Sequence, residues 1–170
     1  MQGQYIPQVD NYNSIEAFVR RVYNPHGDPA LDAKLSIQPY AYRVGFAAVA
    51  PGASPQSVVN IAANADFVLT APRFHAVIDA AGVANHDNYP LIRVLMTDTG
   101  SQEQLMSEAV DLQSYFGHPL TAEFQLTYPR IISGRSGLSV QITNYSNIMT
   151  APETYVLVEL TLAGVLVRGF

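Results

Sequence analysis

The residues able to do chemistry in this chain are few and scattered. Its four histidines, His26, His75, His86 and His118, stand far apart, with no His-x-His or His-x-x-x-His pair of the kind that places two ligands on one strand or helix face. His86 beside Asp87 is the best metal candidate, but ordinary loop residues explain the pair better. Ser133-Gly134-Arg135-Ser136-Gly137 has the small residues of a nucleophile or phosphate loop. It lacks both the Gly-x-Ser-x-Gly elbow and the Gly-Lys-Ser/Thr ending that give those loops their geometry, so it reads as a turn. Asp98, Glu103, Glu108 and Asp111 lie in one acidic stretch; glycoside chemistry needs two carboxyls set across a cleft, and a solvated acidic surface is the expected reading. No catalytic residue, metal site or cofactor is expected.

The arginines carry more information. Arg73 and Arg93 lie within or beside apolar strand text, where an unpaired guanidinium is costly. They are expected to meet carboxylates in the domain or across a subunit interface, because the planar fork suits bidentate pairing. Arg130 lies just before the Gly-bearing turn and Arg135 within it. With the apolar anchors Tyr5, Ile6, Tyr12 and Phe18, these four arginines are the candidate subunit-interface residues.

The segments that must position such residues read mostly as strands. Leu138, Val140 and Ile142 alternate with Ser139, Gln141 and Thr143, the period-2 pattern of a half-buried strand. After Asn144–Asn147 and Ala151-Pro152, a second run from Thr154 to Arg168 is rich in β-branched residues. Both are expected to be central strands, since a free apolar edge invites aggregation. Upstream, Tyr40, Tyr42, Val44 and Phe46 alternate, Val58–Ile61 forms a short strand, and Asp66–Thr70 is stopped by Pro72 before Arg73–Ile78 resumes. Ala80–Tyr89 reads as a loop, Leu91–Thr97 as a strong strand, Gln102–Tyr115 as a partial helix, and Glu123–Tyr128 as a strand with Phe124, Leu126 and Tyr128 on one side.

The N-terminal region differs. Met1–Asn13 is polar and reads as an extended arm, disordered until a neighbour orders it. Asn13 and Glu16 have capping-box spacing, and Ile15, Phe18, Val19 and Val22 share a helical stripe, so a short helix over about Ser14–Tyr23 is expected. It docks either on its own domain or on a neighbour. Residues 1–35 are thus an arm with a short helix, and residues 36–170 an all-β antiparallel sandwich of about eight strands. Uneven connections favour a jelly roll or Greek key over an up-and-down barrel.

Composition narrows the partners. The 170 residues are 48% hydrophobic and 14% charged, with one lysine, Lys34, well below the usual charge of about 25%. A surface so poor in charge suits burial against other subunits, and a homo-oligomer is expected. A net charge of −5 with scattered arginines argues against nucleic acid. The absence of cysteine excludes disulfides. No apolar span long enough for a transmembrane helix and no signal-peptide pattern is present, so no membrane partner is expected.

Two stretches resemble tailed-bacteriophage structural proteins of the jelly-roll type. One is Pro90-Leu91-Ile92-Arg93-Val94-Leu95-Met96-Thr97-Asp98 with its polar turn. The other runs from Phe124 through Tyr128-Pro129-Arg130 and Gly137–Ser146 to Val158-Glu159-Leu160-Thr161-Leu162-Ala163-Gly164-Val165. The resemblance covers roughly the final 80 residues. It implies a virion component assembled in the host cytoplasm, either a capsid decoration (cement) protein or a neck or collar protein. Its partners would be major capsid, portal-neck or tail subunits. A carbohydrate-binding sandwich module of a tail fibre is the alternative: ten tyrosines are available for stacking, and no tryptophan. A cupin-type enzyme is a third reading, and the histidine spacing argues against it.

Overall fold

The computed structural model describes residues 7–80, 83–85, 90–116, 126, 128–145 and 154–170. Two antiparallel sheets face each other. The larger contains β1 (Ser36–Val49), β9 (Thr154–Arg168), β3 (Asp66–Ala80), β4 (Val83–Asn85) and β7 (Arg130–Ile132). The smaller contains β2 (Gln56–Asn60), β8 (Gly137–Asn144), β5 (Ile92–Asp98) and β6 (Val110–Asp111), in that spatial order.

The pairings explain the topology. β1 pairs with β9, β2 with β8, β3 with β7, and β5 with β6. Among the described residues the chain is therefore one long nested hairpin, interrupted by the short β4. Rolling that hairpin up brings β9 against β3 and β8 against β5, and leaves the orders β1-β9-β3-β7 and β2-β8-β5-β6. That is a jelly roll. The two C-terminal runs are central as expected, one in each sheet.

The core lies between the sheets, where every second residue turns inward. Phe46, Phe67, Leu69, Leu160 and Leu162 face Val94, Met96, Leu138, Val140 and Ile142, all buried. Tyr42 meets Phe67 edge-on with ring centroids 4.9 Å apart. At the end of β8, buried Asn144 donates from Nδ2 to the Val49 carbonyl, and its own carbonyl accepts from the Gly52 N–H. It thereby fixes the β1–β2 crossover to the other sheet without leaving its polar atoms unsatisfied.

Several segments differ from the sequence reading. The strand expected to stop at Pro72 continues through it: β3 keeps its register with β9 there, with Pro72 opposite Leu162, between the stretches paired to β7 and β4. The partial helix over Gln102–Tyr115 shrinks to α3 (Leu112–Tyr115). Asp98 accepts hydrogen bonds from the Gly100 N–H and Ser101 Oγ, and the turn folds back so that the Leu105 N–H reaches the Met96 carbonyl. Met106 and Leu112 are buried through that return, not along a helix stripe. Within Ala80–Tyr89, Val83–Asn85 forms β4, and His86–Tyr89 lie outside the described residues. So do most of Glu123–Tyr128; Leu126 is half-buried and donates its N–H to the Thr70 carbonyl, whereas Tyr128 is 76% exposed and does not share its side.

The arm is the largest correction. Helix α1 spans Pro7–Tyr23, so residues 7–13 are helical, not extended. Proline is well placed at a helix start, where no intrahelical N–H donor is required. Asn13 therefore lies inside the helix, and Glu16 binds Arg20 at 2.7 Å instead of closing a capping box. The packed stripe is Ile15, Phe18, Val19 and Tyr23; Val22 is exposed. The stripe covers Val68, Val165, Val167 and Ile37 on the outer face of the larger sheet, so the helix docks on its own domain. A second helix, α2 (Pro29–Asp32), is capped by Asp28, and Asp32 joins Arg20 to tie the two helices together.

Asp66 locks α1 in place. Its Oδ2 accepts from the Tyr23 hydroxyl at 2.9 Å, and its Oδ1 accepts from the Gly134 N–H at 2.7 Å. Burial and the hydrogen bond to Asp66 push the Tyr23 hydroxyl well above the ordinary tyrosine value of 10.0. A group whose folded pKa is raised stabilises the fold fully below its unfolded value, and that stability is lost as the pH rises beyond it. The melting temperature should therefore decline as the pH rises above about 10. Tyr23→Phe should lower it at neutral pH, by about 1–2 kcal/mol of lost hydrogen bonding, and flatten the alkaline decline. A parent and variant with parallel alkaline profiles would place the titration elsewhere, with Tyr115, whose hydroxyl burial also raises, the next group to examine.

Candidate interaction surface

The outer face of the larger sheet has two halves. Helix α1 covers the half that bears Val68, Val165 and Val167. The other half carries Arg43, Gly45 and Ala47 of β1, Leu157, Glu159 and Thr161 of β9, and Arg73, His75 and Val77 of β3.

A β-bulge decides which side chains appear there. Leu69 pairs with Gly164 and Ala71 with Ala163, so Thr70 is an extra residue on β3. One added residue flips every later side chain to the opposite face. Without it, Arg73 and His75 would point into the core. With it they are exposed, and Phe74 and Ala76 are buried. Gly164 makes the close approach possible: a Cβ there would lie 2.0 Å from the Val68 carbonyl oxygen.

On the open half, Arg43 and Glu159 form an ion pair across β1 and β9. Glu159 stands in one row with Gly45 on one side and His75 on the other. Beside that row, Gly45, Ala47, Val77 and Leu157 line a groove of about 440 Å³. A Cβ built on Gly45 would meet nothing within 4 Å, so the groove floor is open at β1.

The sequence candidates do not gather in one place. Arg73 belongs to this open half. Arg93 is exposed on the smaller sheet, where it pairs with Asp111 at 3.3 Å and lies 4.8 Å over the Tyr145 ring. Its flanking Ile92 and Val94 are buried, so strand alternation lifts its guanidinium out of the apolar text into water. Arg130 is exposed on β7, close enough to oppose the upward shift of the Tyr115 hydroxyl. Arg135 sits in the β7–β8 turn with φ +65°. Phe18 is half-buried against the larger sheet. Tyr12 lies in α1, and nothing of its side chain is described; Tyr5 and Ile6 lie outside the described residues.

Neither a protein-family model, nor a curated protein, nor a solved structure matches this chain. The reading of its function therefore rests on surfaces. Among the described residues no three His, Asp or Glu side chains converge as a metal site, and no helix is long and apolar enough to cross a membrane. His26 and His75 are exposed; His86 and His118 lie outside the described residues. Ser133–Gly137 is a turn in which Ser136 Oγ donates to the Ser133 carbonyl and Thr99 Oγ1 is bonded to Gly137 at both N–H and carbonyl. The exposed tyrosines are dispersed. Tyr40 and Tyr155 stand near opposite ends of the β1–β9–β3 region, and Tyr145 follows β8 of the other sheet.

Sequence reasoning missed Arg43 and Glu159. Glu159 is the one charge in an otherwise apolar and hydroxyl-bearing run, Tyr155–Val167, which was the available signal. Its partner lies 116 positions away, and only strand register reveals it.

Proposed function

We propose that this chain is a non-enzymatic structural protein of a tailed-phage virion that binds and stabilises neighbouring capsid or neck subunits, as a decoration protein does. The observation that carries the reading is the half-covered outer face of the larger sheet. Among the described residues the domain's own helix covers one half, and the other half, with its apolar groove, is exposed. The low charge of the chain and the jelly-roll frame support it, as does the resemblance of the strands from Pro90 onward to virion proteins of that type. Among the described residues the exposed tyrosines are dispersed and give a glycan no single stacking platform, which favours this reading over a sugar-binding module.

Immunogold electron microscopy of virions from the phage that encodes the chain tests it. Antibody label on the head surface or at the neck is the expected result. Virions free of label, with the protein recovered only from lysate supernatant, would overturn the proposal.

A further inference from the structure

β1 is an edge strand of 14 residues. Over Tyr40–Phe46 its backbone pairs only with β9 among the described residues, which place no strand beside the outward N–H and C=O groups of alternate residues. Natural edges of this length are usually blunted by lysines, inward charges, prolines or bulges. β1 has a single charge, Arg43. Its blunting devices are confined to its ends, Pro39 on one side and the kink at Ala48, with φ +53°, on the other. Between them Tyr40–Phe46 keeps regular register with β9, and what satisfies such an edge is another extended strand.

The side chains specify which strand. We infer that β1 pairs antiparallel with β1 of a second copy of this chain, across a two-fold axis at Val44, so that the larger sheets of two jelly rolls become one continuous sheet. The inference does not depend on the virion reading. A two-fold pairing that keeps core faces together must be centred on a residue, because side chains alternate with period 2. Centring on Arg43 sets two like charges directly opposite each other, which is unfavourable. Centring on Val44 sets Tyr42 opposite Phe46 of the partner subunit, an aromatic pair at the core edge. It also sets Ala41 opposite the partner's Ala47, and Arg43 opposite the partner's Gly45.

That last pair gives the register its charge complementarity. Gly45 is the register partner of Glu159, so the partner's Arg43 falls in the row Gly45–Glu159–His75. Two strand spacings, about 10 Å, separate its Cα from that of Glu159. Two long side chains leaning toward each other span that gap, and Gly45 places nothing between them. Each guanidinium would lie along the groove mouth of the other copy, and the two-fold axis makes two such contacts.

Sedimentation velocity on the parent and on Arg43→Glu, Glu159→Arg and their mixture tests the register. The parent should sediment as a dimer at micromolar concentration. Each single variant sets like charges across the interface and should weaken dimerisation at least about tenfold. An equimolar mixture should recover a heterodimer, because the carboxylate introduced at position 43 of one chain then meets the guanidinium introduced at position 159 of the other. That recovery cannot come from restoring the internal Arg43–Glu159 pair, which stays broken in both chains. Far-UV circular dichroism checks that the variants fold. Hydrogen exchange on the parent alone gives a second readout: amides in Tyr40–Ala47 should lose protection on dilution. A monomeric parent at about 100 μM, unchanged dimerisation in both single variants, or dilution-independent exchange across β1 would each overturn the inference.

Discussion

Gly164→Ala should destabilise the domain more than any other single methyl added to the sheets. The new Cβ would lie 2.0 Å from the Val68 carbonyl oxygen and 3.0 Å from the Phe67 ring. The first contact is with backbone, which cannot rotate away as a side chain would. Relief requires β9 and β3 to separate where Thr70 forms the bulge. Overpacking of this kind costs about 3 kcal/mol when the obstacle is fixed. For a chain of this size the melting temperature should drop by roughly 6–12 °C. The consequence extends beyond stability. If the strands relax by deleting the bulge, the parity of β3 reverses and Arg73 and His75 turn toward the core. A differential scanning calorimetry trace that overlays the parent would show that the close approach of β3 and β9 is not a constraint of the fold.

How much of this architecture the sequence discloses depends on how local each feature is. Period-2 alternation in Leu138–Thr143, Leu91–Thr97 and Tyr40–Phe46 reports directly on a two-sided sheet, and these strands lie where alternation puts them. The bulge at Thr70 is a different matter. Phe67, Val68 and Leu69 are all buried, because helix α1 covers one face and the core the other, so alternation vanishes where parity changes. Pro72 then looks like a strand break, although β3 keeps its pairing with β9 on either side of it. The spacing of Leu105, Met106, Ala109 and Leu112 imitates a helix face. Local hydrogen bonding by Asp98 overrides it, as short polar side chains do when they offer the backbone an alternative partner. The Arg43–Glu159 pair joins residues from opposite ends of the nested hairpin. Its existence follows from the register of β1 on β9, which no local pattern encodes.

Removal of residues 1–23 should cost the domain several kilocalories per mole, whereas removal of residues 1–13 alone should cost little. The difference follows from where the packing residues lie. Ile15, Phe18, Val19 and Tyr23 all follow Asn13, and Val19 is fully buried. Burying a side chain of this kind contributes about 1.5–3 kcal/mol relative to leaving it exposed, and three of the four are only partly buried. Part of that gain offsets the ordering of a helix too short to be stable by itself. A net loss of about 3 kcal/mol is expected for the longer deletion, together with the Tyr23–Asp66 hydrogen bond and the contact of Tyr23 with Phe170, whose rings are 4.7 Å apart. The deletion also uncovers Val68, Val165 and Val167 as one patch, so binding of a hydrophobic dye should rise as the melting temperature falls. Val19→Asp should reproduce both effects in the full-length chain, because an unpaired carboxylate cannot remain against those three valines. The shorter deletion should shift the melting temperature by no more than a few degrees and leave dye binding unchanged. If instead the longer deletion melts like the parent without binding dye, α1 adds nothing to its own domain, and its apolar stripe must be assigned to a neighbouring subunit.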